Sequence, residues 1–504
     1  MSRKKNAQRN IVFGVALRVY RILIPFVIRT VMIYTLGVEY LGLNSLFVSI
    51  IQVLNLAELG IGSAMVYSMY KPIAENDNKT LCALMALYRK TYRIIGFVIG
   101  MCGLGLIPFL KYLIKSDIPA NINLYYLYIL NLSITVASYW LFAYRNCLIT
   151  ANQRHDITSK VTIGVNTVQY IFQILALVYL RDYYIYIIIE LIGQVAINII
   201  VAAFSKKMYP MLSPKGTVCK SELKEIKKRV YALVLSRIGG TILTSSDSIV
   251  ISAFLGLLVL AKYQNYFLLI TSVSAIIEVI FTSITATIGN SIVVETKEKN
   301  YEDFRKLTLI TSFMISFGST CFISMYQPFI RLWIGEKMLL SYQMVVLFSV
   351  YFIIYEFTRM FNLYKNAAGV WYEDRFRPLV SAVVNLILNI VFVKTIGLSG
   401  VLFSTIIALG LIEIPWLIIN VFATIFPNDK KAEFISVYTK CGIYILCSLF
   451  LTSFTRYVPG SCFLQLVIGV IISLFISTIM FNVFFRKSDL FSETKNFVIS
   501  MIKR

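Results

Sequence analysis

Acidic residues are scarce in this chain, with 25 aspartates and glutamates against 48 lysines and arginines, and the formal charge across 504 residues is +23. There is one histidine, His155, and it has no cysteine or histidine near it, which excludes a histidine-built metal site and a histidine base. The eight cysteines show no close pairing. Six of them, Cys82, Cys102, Cys147, Cys321, Cys441 and Cys447, lie in or beside apolar runs and read as small packing residues. No glycine-rich phosphate loop of the Walker type is present. Hydrolase, metalloenzyme and ATPase chemistries thus lack their residues, and the expectation is a protein that is not an enzyme, with no metal and no cofactor.

Apolar residues are what the chain has in excess. They make up 58% of it against 14% charged residues, and the mean hydropathy is +0.75. Such a composition belongs to a polytopic membrane protein. Residues 2–10 are basic but lead into an apolar run too long for a cleavable signal peptide. A bilayer-crossing helix needs about 20 mostly apolar residues. Fourteen such runs occur, at 11–36, 41–69, 92–113, 123–149, 160–180, 183–205, 230–255, 262–290, 306–327, 342–365, 377–395, 398–424, 436–456 and 462–485. With the amino terminus inside, lysine and arginine crowd the inward segments, among them Lys71, Arg89, Lys90, Arg93, Lys206, Lys207, Lys227 and Lys430, whereas the outward loops carry few. The positive-inside bias then puts both termini in the cytoplasm. The charge reads as topology rather than as a nucleic-acid surface.

A weak internal repeat divides the chain. Leu36-Gly37, Tyr40-Leu41-Gly42 and Phe47 are echoed 219 positions later by Leu255-Gly256, Val259-Leu260-Ala261 and Tyr266. Six spans separate the copies, an even number, so the repeats share one orientation. The expected fold is all-α: two like-oriented six-helix bundles around a central cavity, 1–205 and 230–424, joined by a cytoplasmic linker, 206–229. Two further helices (436–485) and a basic tail (486–504) follow. Within the linker, 221–228 reads as a short interfacial helix.

Arg18, Arg21 and Arg29 fall inside the first apolar run. At about 100° per residue they share one helix face within roughly 80°. A charge at membrane depth costs several kcal/mol unless it meets a partner, a water-filled cavity or an anionic ligand. Two readings follow: a cationic wall in a transport cavity, or a span starting after Arg21, with Arg18 and Arg21 snorkelling to the headgroups. Pro25 removes a backbone bond between Arg21 and Arg29 and marks a hinge candidate.

Other polar residues inside the spans are fewer. Asn44, Gln52, Asn55 and Glu58 form a stripe on the second span, and Glu58 is either the salt-bridge partner of an arginine or a cation site. Arg237, Thr241, Thr244, Asp247 and Ser248 lie near one face of the seventh span. Gly239 and Gly240, beside that arginine, are either a second hinge or a close-packing site. Asp247 is a candidate cation ligand. Glu356 and Arg359, three apart, are either a self-satisfied pair or a substrate contact. Glu190, Glu278 and Glu413 stand as isolated acids, and 373–377 reads as a charged loop network at the inner gate.

The sequence Tyr40-Leu41-Gly42-Leu43-Asn44-Ser45-Leu46, then 54–64 (LNLAELGIGSA), Tyr70-Lys71-Pro72-Ile73-Ala74, Tyr88-Arg89-Lys90 and 366–375 (NAAGVWYEDR) with Pro378, resembles the polysaccharide transporter family. This is the O-antigen and capsule flippase branch, of Wzx type, within the multidrug, oligosaccharidyl-lipid and polysaccharide (MOP) exporter superfamily. The resemblance implies a bacterial inner-membrane flippase for undecaprenyl-diphosphate-linked oligosaccharide, working by alternating access on a proton or sodium gradient. It also implies a role in lipopolysaccharide or other polysaccharide biosynthesis, as a functional monomer beside polymerase machinery. A diphosphate gives the arginines a ligand, since the guanidinium fork matches phosphate oxygens. Arg18, Arg21, Arg29 and Arg237 are then the substrate-binding candidates, and Glu58, Asp247, Glu356 and Arg359 the coupling or ion-pair candidates. A small-molecule exporter of the same superfamily is the alternative. A glycan polymerase would need a large outward loop, which the sequence lacks.

Overall fold

A computed structural model describes residues 3–58, 60–115, 118–119 and 121–502. The described residues are mostly helical, and the chain clusters into two compact units, Met1–Ala261 and Lys262–Arg504. The first unit holds α1 (Arg3–Thr35), α2 (Val38–Leu54), α3 (Ile61–Ala74), α4 (Asn78–Leu106), α5 (Leu124–Trp140), α6 (Ala143–Ala151), α7 (His155–Leu175), α8 (Tyr183–Met208) and α9 (Lys220–Leu255). The boundary falls within α10 (Leu257–Val294). The second unit continues with α11 (Lys297–Ile334), α12 (Tyr342–Ala367), α13 (Arg377–Ile396), α14 (Leu398–Ile407), α15 (Ile414–Thr424), α16 (Lys431–Thr452), α17 (Cys462–Phe485) and α18 (Asp489–Ile502).

Among the described residues, eleven helices are long and apolar enough to cross a bilayer, and the pair α5 and α6, bent by 52°, makes a twelfth. The helix α1, with its arginines, and the interrupted α2 and α3 occupy the first two expected runs. Each of the fourteen apolar runs therefore meets a helix or a helix pair, and the fold is that of an all-α, multi-pass membrane protein.

Two expected elements differ. The second span is not one helix: α2 ends in a 3₁₀ turn at Asn55–Glu58, and Gly60 adopts φ +85° before α3 starts. The linker segment 221–228 is not a separate interfacial helix but the first two turns of the 36-residue α9.

The repeat has a structural counterpart. Gly37 (φ 118°, ψ 169°) breaks the chain between α1 and α2, and Gly256 (φ 92°, ψ 172°) does so between α9 and α10. Both dihedral pairs are open to glycine and strained for other residues. Leu36 and Gly37 turn the chain between α1 and α2, and Gly256 alone does so between α9 and α10. Gly42 is small for a second reason: a Cβ there would overlap the carbonyl of Leu257, so α2 approaches the start of α10 backbone to backbone.

In the second unit α11 is the central element. At one end Phe304 stacks with Phe426 and Phe434 at 4.6 and 4.9 Å between ring centres. Along its length Ser316, Thr320 and Ser324 meet Ser473 and Ser477 of α17 through hydroxyl contacts of 3.1–3.3 Å. Small hydroxyl residues let two membrane helices approach closely while satisfying each other's polar atoms. This seam fastens α17 to α11.

Candidate functional site

Along α1, Val12, Val15, Val19, Leu23, Val27 and Tyr34 are exposed and form one stripe. Arg18, Arg21 and Arg29 point roughly 110–170° away from the centre of that stripe. The apolar stripe suits hydrocarbon, and the cations occupy the other side of the same helix. Arg18 and Arg29 are half-buried, and Arg21 is exposed. From Arg18 to Arg29 the helix rises about 16 Å.

The face is held by α7 and α8. The Thr167 hydroxyl of α7 donates to the Tyr20 hydroxyl at 3.2 Å, and the rings of Tyr20 and Tyr170 are 6.2 Å apart. Arg21 lies within electrostatic reach of Tyr170, and Arg29 within reach of Tyr186 on α8. Glu190, one turn beyond Tyr186, interacts with both Tyr186 and Tyr170. At the foot of α1, Arg9 pairs with buried Asp156 at 2.8 Å, an acid that Arg154 also contacts at 2.9 Å. Tyr183 and Tyr186 are buried and stack at 5.7 Å. Pro25 lies within a helix that continues to Thr35.

The polar stripe of the second span ties helices together. Asn44 accepts from the Tyr183 hydroxyl at 3.0 Å, Gln52 from Ser245 at 3.1 Å, and Asn55 from Tyr139 at 3.1 Å. Glu58 accepts from the Tyr92 hydroxyl at 2.6 Å. Of the two roles offered for Glu58, arginine partner or cation site, this contact is neither: the partner is a phenol of α4, met from the 3₁₀ turn. On α9, Asp247 and Ser248 are buried. Arg237 lies on α9, and its side chain falls outside the described residues. Gly239 is buried, whereas a Cβ on Gly240 would meet open space, so close packing does not explain Gly240.

In the second unit several intramembrane charges are paired. Arg359 reaches Glu356 at 3.0 Å, Glu278 of α10 at 3.1 Å and the Ser274 carbonyl at 2.9 Å. The expected pair is thus a triad, and Glu278 is not isolated. Glu413 is not isolated either: Arg377 contacts it at 2.8 Å. Arg377 also forks onto Asp374, whose second oxygen lies 2.8 Å from Lys365. Burial pushes the Asp374 carboxyl up, but the Arg377 fork and the Lys365 ammonium outweigh it and hold the group below the usual carboxylate range. Asn420 adds a further donor at 3.0 Å. The loop network at 373–377 therefore centres on Asp374, while Arg375 instead stacks over Tyr372 at 3.7 Å. Sequence reasoning missed Lys365, Asn420 and the ladder Asn385–Asn389, whose amide contact is 3.1 Å, because each partner comes from a surface that hydropathy alone does not orient.

No family model matches this sequence, and no curated protein matches it. Solved structures do match in fold. The chain is similar to the lipid II flippase MurJ in an inward closed conformation, with a TM-score of 0.68 and 16% identity over 94% of this chain and 99% of that one. It is also similar to an inward-facing multidrug resistance MATE family transporter of the MOP superfamily, with a TM-score of 0.55 and 15% identity over 81% of this chain and 98% of the other. A MOP superfamily transporter from Pyrococcus furiosus, described as having a binding pocket of reversed polarity, matches with a TM-score of 0.53 and 14% identity over 83% and 96% of the two chains. At these identities the likeness is one of fold, and the fold is that of MOP superfamily transporters.

Proposed function

We propose that this chain flips an undecaprenyl-diphosphate-linked oligosaccharide, a repeat unit of O-antigen, capsule or exopolysaccharide, across the bacterial inner membrane by alternating access. The observation that carries this reading is the cationic face of α1, where Arg18, Arg21 and Arg29 lie opposite an exposed apolar stripe. A diphosphate carries about two negative charges, and guanidinium forks bind its oxygens bidentately. A cationic drug would be repelled by the same face. That a structural neighbour is a lipid flippase agrees with this substrate class. Both termini face the cytoplasm, the monomer is the working unit, a cation gradient drives the cycle, and the product passes to polymerase machinery.

Arg29 is the residue to test, because it lies deepest from the amino-terminal end. In Arg29→Ala, surface glycan falls by about tenfold or more, as expected for loss of a charged hydrogen bond, while protein level and membrane insertion stay unchanged. Arg29→Lys keeps the charge but lacks the fork and restores only part of the activity. Loss of the protein itself in Arg29→Ala would make the residue structural and remove the support for this substrate.

A further inference from the structure

Outside the arginine face, the first unit contains a groove of about 740 Å³ between the beginning of α4 and the segment 216–218. Arg89, Lys90 and Arg93 line it together with Ile94 and Phe97, and no acidic residue is among its lining groups. Among the described residues these three side chains take part in no hydrogen bond and no ion pair. Some cations elsewhere do have an acid, as Lys71 has Glu75 and Arg305 has Glu433. Three unneutralised cations on one turn repel each other unless an anion sits among them.

The apolar surface beside them is equally specific. Ile94, Phe97, Val98, Met101 and Leu104 are all exposed, with Ile94 at 53% and Phe97 at 59%. At about 100° per residue they fall in one arc of roughly 140°, and Lys90 and Arg93 fall within the same arc. An exposed apolar stripe along a membrane helix thus ends, one turn from Ile94, in two cations and a groove. Free phosphate would satisfy the cations but would leave the stripe and the apolar groove wall without purpose. A lipid whose headgroup is anionic satisfies both at once, with its phosphate held by the cations and its chains along the stripe.

We infer that this groove is a headgroup site for an anionic glycerophospholipid of the inner leaflet, with phosphate on Arg89, Lys90 and Arg93 and acyl chains along Ile94, Phe97 and Met101. The site is distinct from the cationic face of α1, and its occupancy can be read without transport. It places a bound lipid against the segment that leads into α9. The membrane's anionic lipid content thereby becomes a ligand of the protein as well as its solvent.

The test uses the full chain, purified in detergent and offered equal amounts of phosphatidylglycerol and phosphatidylcholine, with retained lipid counted by native mass spectrometry. Wild type retains phosphatidylglycerol preferentially. Lys90→Gln, at an exposed position, weakens retention by about fivefold, and the triple variant Arg89→Gln, Lys90→Gln, Arg93→Gln by roughly a hundredfold, as follows from the typical energy of one basic side chain at an anionic surface. Ile94→Ser with Phe97→Ser lowers phosphatidylglycerol retention severalfold with all three cations in place. Equal retention of the two lipids by wild type, or unchanged retention in the triple variant with an unaltered melting transition, would overturn the proposal. So would displacement of the lipid by millimolar inorganic phosphate together with no effect of the serine pair, since that combination identifies a free-anion site.

Discussion

Asp374 shows how much one acid can hold in a chain so rich in base. Lys365 pairs with it, Arg377 shares its charge between it and Glu413, and the Lys365, Asp374 and Arg377 side chains are all buried. Removing one member of such a group leaves uncompensated charge inside the protein, at a typical cost of about 3–5 kcal/mol. Asp374→Asn is therefore expected to lower the melting temperature in detergent markedly, whereas neutralising exposed Glu373 leaves it unchanged. The acid dependence follows from the direction of the shift. Because the folded carboxyl titrates below its ordinary value of 3.8, its contribution is fully present above that pH and is lost as pH falls through the lower, folded value. Wild type should accordingly show a loss of stability on acidification below 3.8 that Asp374→Asn lacks. An Asp374→Asn protein that melts with wild type at neutral pH would show the network to be dispensable. On α1 the neighbours are aromatic hydroxyls instead: Arg21 lies within electrostatic reach of Tyr170 on α7, and Arg29 of Tyr186 on α8.

Among the elements, those set by local chemistry were legible in the sequence and those set by partners were not. Gly37 and Gly256 could be matched as a repeat through the recurring Leu-Gly and the residues that follow it, and the structure gives both glycines a positive φ with an extended ψ. The break between α2 and α3 was hidden, since Asn44, Gln52, Asn55 and Glu58 fit a continuous helical period as well as they fit the observed helix plus 3₁₀ turn. What the period does not contain is that Tyr92, Tyr139 and Tyr183 come from three other helices to meet them. Glu278 and Glu413 looked isolated for the same reason, as their arginines lie on different helices. In α9, Gly240 is a legible element feature with a testable purpose. Its Cβ position is open, and alanine is favoured over glycine inside a helix by about 0.5–1 kcal/mol. Gly240→Ala should therefore raise thermal stability slightly and slow transport, measured as surface glycan, if α9 must bend there. A stabilised variant with undiminished transport would remove the hinge role.

For the molecule as a whole, the remaining question is what drives the cycle, and the distribution of acids narrows it. Besides the coupling or ion-pair candidates Glu58, Asp247, Glu356 and Arg359, the sequence leaves three isolated acids in the spans, Glu190, Glu278 and Glu413. Glu278 is committed to Arg359 at 3.1 Å and Glu413 to Arg377 at 2.8 Å, so that protonating either would release a charged arginine. Glu190 is in no ion pair among the described residues, and it interacts with Tyr170 and Tyr186, the same tyrosines that neighbour Arg21 and Arg29. A proton on Glu190 changes the charge beside the substrate-binding candidates, which is the linkage that coupled transport requires. In vesicles, collapsing the proton gradient should then stop flipping by wild type, and collapsing the sodium gradient alone should not. Glu190→Gln, which mimics the protonated acid, should keep the fold and bind substrate while losing most of its response to the proton gradient. Flipping by wild type that is indifferent to both gradients would sink cation coupling altogether, and a proton response preserved in Glu190→Gln would place the coupling group on a different acid.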